Sequence, residues 1–95
     1  MKFAVERLSS VVAEINALEK EQQNFLKRDY EIIERKGIEY VRVRPLQKEI
    51  FEIKTNELRS LFKYKAGAII VIGVVFIKKT PKDKIKLAVQ RLKEA

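Results

Sequence analysis

Apolar positions along the chain change their spacing twice. Between Leu8 and Ile33 they recur at helical intervals: Leu8, Val11, Val12, Ile15 and Leu18, then Phe25, Leu26, Ile32 and Ile33. Residues 19–24, Glu-Lys-Glu-Gln-Gln-Asn, thin this stripe. They are either the bend of a helical hairpin or a solvated face of one longer helix. Gly37, after Arg35 and Lys36, is a stop signal, because glycine takes left-handed cap geometry and cations suit a helix C-terminus. Such a stripe ordinarily covers one face of a sheet. Ahead of it, Phe3 and Val5 alternate as in a short first strand.

From Ile38 the period becomes two. Ile38–Leu46 alternates, with Pro45 stopping the strand or confining it to an edge. Glu49–Lys54 places Phe51 and Ile53 on one face and Ile50, Glu52 and Lys54 on the other. Thr55-Asn56 is turn chemistry. Leu58–Tyr64 then sets Leu58, Ser60, Phe62 and Tyr64 against Arg59, Leu61 and Lys63. After a turn at Lys65-Ala66-Gly67 comes the continuous apolar run Ala66–Ile77, dominated by β-branched residues. That composition predicts a central strand buried on both faces. The run is too short for a membrane span, which needs about 20 apolar residues. The close spacing of these last strands predicts an antiparallel meander.

The run ends on Lys78 and Lys79. Thr80 is placed to cap a following helix, Pro81 to open its first turn, and Asp83 to bond back to the cap. Ile85, Ala88, Val89 and Leu92 give that helix an apolar stripe. Two lysines between a strand end and a helix start have two readings: an anion site helped by the helix N–H groups, or a gatekeeper against aggregation of the strand. Arg42 and Arg44 share one strand face, as phosphate contacts or as ordinary edge charges.

Charge narrows the choice. The net charge of +8 is unevenly placed: residues 1–47 carry +1 and residues 48–95 carry +7. A localised basic excess is the footprint of a phosphate-bearing partner, although lysine-rich chains are also simply soluble. The 95 residues suit one domain, 1–95, with a modest core. The chain has no cysteine, which excludes disulfides and thiolate chemistry, and no histidine, which excludes His-based triads and most zinc sites. A carboxylate-only site is the remaining metal option, and no cofactor is expected. Glu6 and Arg7 interrupt any signal-type apolar segment, so the reading is a cytoplasmic protein with no membrane partner.

Several segments together resemble the RelE/HigB-type toxin superfamily, most closely its phage-derived HigB-like branch. They are Leu46-Gln-Lys-Glu-Ile-Phe-Glu-Ile-Lys54, Leu58-Arg59, Phe76-Ile-Lys-Lys-Thr-Pro81, and a last helix with Ala88 and Arg91. The family pattern is a leucine, then Leu-Trp-Glu-Leu-Arg, an arginine on the next strand, and Phe-x-Lys-Lys-Thr before a helix with an early proline. Here Ile50-Phe51 stands for Leu-Trp, and the C-terminal tyrosine of some members is absent. The resemblance implies an α+β fold: an N-terminal helical hairpin on a small, about four-stranded, mainly antiparallel sheet, with a C-terminal helix.

It also implies the toxin of a type II toxin–antitoxin pair, with a cognate antitoxin and mRNA on the ribosome as partners. The implied chemistry is metal-independent RNA cleavage by attack of a 2′-OH on its adjacent phosphate. By position, Lys54, Arg59, Lys78, Lys79 and Glu52 are the implied catalytic set. Arg59 would clamp the phosphate, the lysines would neutralise charge, and Glu52 would act as base or orient a cation. Acid–base work would fall on Lys, Glu or Tyr64. Arg42, Arg44, Lys48, Lys63 and Lys82 are the candidate RNA contacts. Two other readings stand beside this one: a ParE-like toxin acting on a protein target such as gyrase, and a non-enzymatic basic RNA-binding or phage accessory protein.

Overall fold

The computed structural model describes residues 2–47 and 49–95. In chain order these form β1 (Ala4–Arg7), α1 (Ser9–Asn16), α2 (Lys20–Lys36), a 3-10 turn (Ile38–Tyr40), β2 (Arg42–Gln47), β3 (Ile50–Thr55), β4 (Leu58–Lys65), β5 (Ile69–Ile77) and α3 (Lys82–Leu92). The strands make one five-stranded sheet in the order β1-β5-β4-β3-β2. β1 runs parallel to β5, and the other pairs are antiparallel. The α+β architecture, the helical hairpin, the meander and the last helix are those the sequence predicts. The fifth strand is the short segment Ala4–Arg7, which includes Val5 and starts just after Phe3.

The polar run at 19–24 marks a break between two helices. Glu19 precedes α2 and forms a capping box: its side chain accepts the Gln22 backbone N–H, and its own N–H donates to Gln22 Oε1 at 3.2 Å. Gly37 ends α2 as expected, but with φ 120° and ψ 166°, outside the left-handed cap region. A side chain there would run into Glu39. Ile38–Tyr40 winds into the 3-10 turn, so β2 starts only at Arg42. Asn56, at φ 54°, turns the chain between β3 and β4.

Two cores lie on opposite faces of the sheet. Val11, Leu26, Tyr30 and Ile33 of the hairpin pack on Ile53, Leu58, Phe62, Ile70, Ile72 and Val75. Ala88 and Leu92 of α3 pack on Ile50, Leu61, Val71, Val74 and Phe76. Val89, expected in the buried stripe of α3, is instead exposed, because the helix presents Ala88 and Leu92 to the sheet. β5 serves both cores, with Ile70–Phe76 buried. It carries an extra residue at Gly73, where pairing shifts from Phe62↔Ile72 to Leu61↔Val74. α3 seats here: a Cβ on Gly73 would lie 2.6 Å from Leu92 Cγ.

β5 lies one place in from the sheet edge rather than at its centre. β1 pairs with it only from Ile69 to Ile72. Beyond that, two side chains occupy the open edge. Glu14 Oε1 accepts the Val75 N–H at 3.0 Å, and Arg91 Nη1 donates to the Gly73 carbonyl at 3.0 Å. Arg91 and Glu14 also pair with each other at 2.9 Å. In the hairpin core, Tyr30 Oη and Ser60 Oγ share a hydrogen bond of 2.7 Å. Burial pushes the Tyr30 phenol up to about 12. Among the described residues, no helix is long and apolar enough to cross a membrane.

Two stability measurements follow from this packing. Gly73→Ala is expected to destabilise by about 1–3 kcal/mol in urea unfolding, since the new methyl overlaps Leu92. Leu92→Ala should lose about 2–5 kcal/mol. The double variant should fall short of the sum, because the alanine methyl enters the space that Leu92 leaves. For Tyr30, the folded pKa lies above that of the unfolded chain. Above pH 10 the unfolded chain therefore loses its proton first, and stability falls until about pH 12. Two units correspond to about 2.7 kcal/mol. Tyr30→Phe is expected to flatten this alkaline decline while lowering stability at neutral pH by about 1–2 kcal/mol, since Ser60 loses its partner.

Candidate functional site

Strand register assembles the candidate site. Arg42 pairs with Lys54, Lys54 with Arg59, and Arg59 with Phe76. The next row joins Arg44, Glu52, Leu61 and Val74. Both rows lie on the face that α3 covers, since Leu61, Val74 and Phe76 belong to its core. α3 reaches the apolar half of this face and leaves the β2–β3–β4 corner open. There Arg42, Arg44, Glu52, Lys54 and Arg59 line a cleft of about 340 Å³.

Glu52 is 2 % exposed in a cleft whose other walls are four cations and Val43. Both of its oxygens are occupied. Arg44 Nε donates to Oε1 at 2.7 Å, and the Thr80 hydroxyl donates to Oε2. The Glu52 hydrogen bond raises the pKa of the Arg44 guanidinium above its already high ordinary value. Arg59 folds toward the β3–β4 turn, where Nη1 donates to the Asn56 carbonyl at 2.8 Å and the Leu58 carbonyl at 2.9 Å. These bonds fix the plane of the guanidinium. Its Nε and Nη2 groups have no hydrogen-bond partner among the described residues. Such an array of fixed donors and point charges on one concave corner can hold a phosphodiester and stabilise added negative charge on it.

The other sequence candidates lie elsewhere. Lys78 and Lys79 are exposed on the connection between β5 and α3 and do not line the cleft. Lys78 has φ 65°, which ends the strand alternation, and its N–H donates to the Glu57 carbonyl. The lysine pair therefore flanks the cleft, on a segment tied at one end to the β3–β4 turn and at the other, through Thr80, to Glu52. Lys63 shares the α3 face but lines a separate groove with Ile50, Val89 and Leu92. Lys82 is exposed at the start of α3, and Lys48 lies outside the described residues. Tyr64 sits on the opposite sheet face, its ring centroid 4.9 Å from that of Phe51 and 5.3 Å from that of Phe62. Partial burial raises its pKa. It does not reach the cleft.

Two residues take on roles that sequence reasoning missed. Thr80, expected as a helix cap, spends its hydroxyl on Glu52, and Pro81 takes the cap position with no side-chain cap. Lys84 places Nζ 5.8 Å from the Phe76 ring centroid, beside the end of the Arg42–Lys54–Arg59–Phe76 row. No local pattern marks either role, since both depend on where α3 docks. Among the described residues, no group of three or more metal-ligating side chains is close enough to hold an ion.

Comparison with known proteins is informative at the level of family and fold. The model of the phage-derived protein Gp49-like family (DUF891) matches residues 13–93. Comparison with curated proteins finds no match. Among solved structures, the chain is similar to the archaeal RelE in its complex with RelB from Pyrococcus horikoshii OT3, with TM-score 0.72 and 16% identity over 85% of this chain and 100% of that one. It is similar to the toxin–antitoxin complex RelBE2 from Mycobacterium tuberculosis, with TM-score 0.70 and 13% identity over 82% of this chain and 100% of that one. A mutant of the E. coli toxin RelE in the free state gives TM-score 0.70 and 19% identity over 96% of this chain and 98% of that one. The chain belongs to the phage-derived Gp49-like family, and its fold is that of the RelE toxins.

Proposed function

We propose that the chain is the toxin of a type II toxin–antitoxin pair and that it cleaves mRNA on the ribosome. The observation that carries this reading is the gathering of Arg42, Arg44, Lys54 and Arg59, from three strands, around one open cleft. The structural relatives include toxins held in complexes with antitoxins, which supports a cognate antitoxin as partner.

In the proposed reaction the RNA 2′-oxygen attacks the adjacent phosphorus. The O2′–P bond forms, the P–O5′ bond breaks, and a cyclic phosphate and a 5′-hydroxyl are left. A proton leaves O2′ and one arrives at O5′. Charge builds on the non-bridging oxygens between these events. Arg59, its plane fixed by the turn carbonyls, forks onto those oxygens, with Lys54 beside it and Arg42 next along the same row. Preorganised cations of this kind supply the largest part of such rate enhancements. Glu52 acts as a positioning residue, because both its oxygens are engaged: it holds Arg44 and, through Thr80, the segment that carries Lys78 and Lys79. That pair would meet phosphates just outside the cleft.

Arg59→Ala is expected to lower cleavage by about 10²–10³-fold and to abolish growth arrest on expression, read by 5′-end mapping of cellular RNA. Growth arrest with intact mRNA would favour a protein target such as gyrase, and no arrest would favour a non-enzymatic RNA-binding role. Glu52→Gln keeps an acceptor for Arg44 and a polar partner for Thr80. It is expected to reduce the rate by less than about tenfold and to leave both limbs of the pH–rate profile in place. A profile that lost one limb would make Glu52 a proton-transfer group instead.

A further inference from the structure

The cleft does not end at the β2 edge. Arg42 and Lys54 line it, and they also line a second hollow of about 480 Å³ between α2 and the sheet. The apolar walls of this hollow are Phe25, Ile32, Tyr40 and Val41. Arg28 adds a third cation, while the single carboxylate, Asp29, accepts the Thr55 hydroxyl at 2.6 Å. The two hollows thus meet at the Arg42–Lys54 pair, which lines both.

Tyr40 stands at the outer wall of the second hollow. It is 62 % exposed, although its ring is large and apolar. The ring is carried by a short 3-10 turn rather than a floppy loop. Tyr40 N–H donates to the Gly37 carbonyl at 3.4 Å, and Val41 N–H to the Ile38 carbonyl at 3.3 Å. Lys36 Nζ lies 5.8 Å from the ring centroid. A fixed, exposed aromatic ring beside a cationic channel is the arrangement on which single-stranded nucleic acids stack their bases, and it tolerates any base because every base has a π-face.

We propose that Tyr40 is a nucleobase-stacking subsite for single-stranded RNA, one step along the strand from the phosphate held in the cleft. Arg42 and Lys54 carry the backbone between the two positions, and Lys36 and Arg28 neutralise its continuation. This rests on the RNA reading of the cleft and adds to it a direction for the strand, across the β2 edge toward α2.

The test uses a short fluorescein-labelled RNA whose 2′-positions are methylated so that it cannot be cut. Fluorescence anisotropy gives Kd for the whole chain and for Tyr40→Ala, Tyr40→Phe and Arg59→Ala, with thermal unfolding recorded for each. Tyr40→Ala is expected to weaken binding about tenfold with an unchanged salt dependence, and Tyr40→Phe to bind like the parent. Arg59→Ala should weaken binding and reduce the salt dependence. Crosslinking of a thiouridine-containing RNA to the unaltered chain should label the peptide that contains Tyr40, which does not depend on any variant folding. If Arg59→Ala weakens binding and Tyr40→Ala does not, the stacking subsite is wrong and the RNA reading of the cleft stands. If Tyr40→Phe is as weak as Tyr40→Ala, a hydroxyl contact replaces stacking and the inference fails. If the parent chain does not bind the RNA, the stacking subsite falls, while cleavage on the ribosome is decided separately by the 5′-end mapping.

Discussion

Strand β5 is buried on both faces, and that single requirement organises the molecule. A sheet one layer thick cannot hide such a strand; it needs a cover above and a cover below. The helical hairpin supplies one cover and α3 the other. An eleven-residue α3 is too short to cover the whole face, and it docks where Gly73 lets Leu92 approach closely. The part of the face it leaves bare is the corner of β2, β3 and β4, and the residues there are charged. The cleft is thus the remainder of a packing problem: the cations lie where no apolar cover reaches.

Within that corner, one buried carboxylate sets the geometry. Glu52 sits among cations and engages Arg44 and Thr80 at once. An acid group so placed reduces repulsion between its neighbours and fixes their positions, at the expense of some net positive charge. It also joins a strand in the middle of the chain to the connection that leads into α3. The shape of the cleft and the docking of α3 are therefore linked through one side chain.

Much of this was legible in the sequence. Alternation alone put Glu52 and Lys54 on one face, and Arg59 opposite the face of Tyr64, so the separation of Tyr64 from the cleft was implicit in period two. Asn56 fixed the hairpin and hence the row that joins Lys54 to Arg59. Alternation failed at Lys78, where a positive φ turns the chain and sends the lysine pair to the rim. It failed also for Thr80. A threonine before Pro81 satisfies every local rule for a cap, yet a partner 28 residues away takes its hydroxyl. Local rules weigh neighbours in sequence, and they have no access to a carboxylate brought near by strand pairing. The hollow beside Tyr40 was invisible for the same reason, since Ile38–Tyr40 reads as strand until Gly37 winds it into a turn.

The Glu14–Arg91 pair across the open edge of β5 has a temporal meaning. Chains emerge from the ribosome N-terminus first. Glu14 is available to the Val75 N–H as soon as β5 appears, but the Gly73 carbonyl waits for Arg91. During that interval the half of β5 beyond β1 is a guarded but incompletely closed strand edge, the kind of surface on which nascent chains join one another. Synthesis of α3 completes the protection, and the same event seats Leu92 against Gly73 and brings Thr80 to Glu52. The lining strands of the cleft are made earlier, so exposure of the edge ends with the docking step that also ties the α3 connection to Glu52.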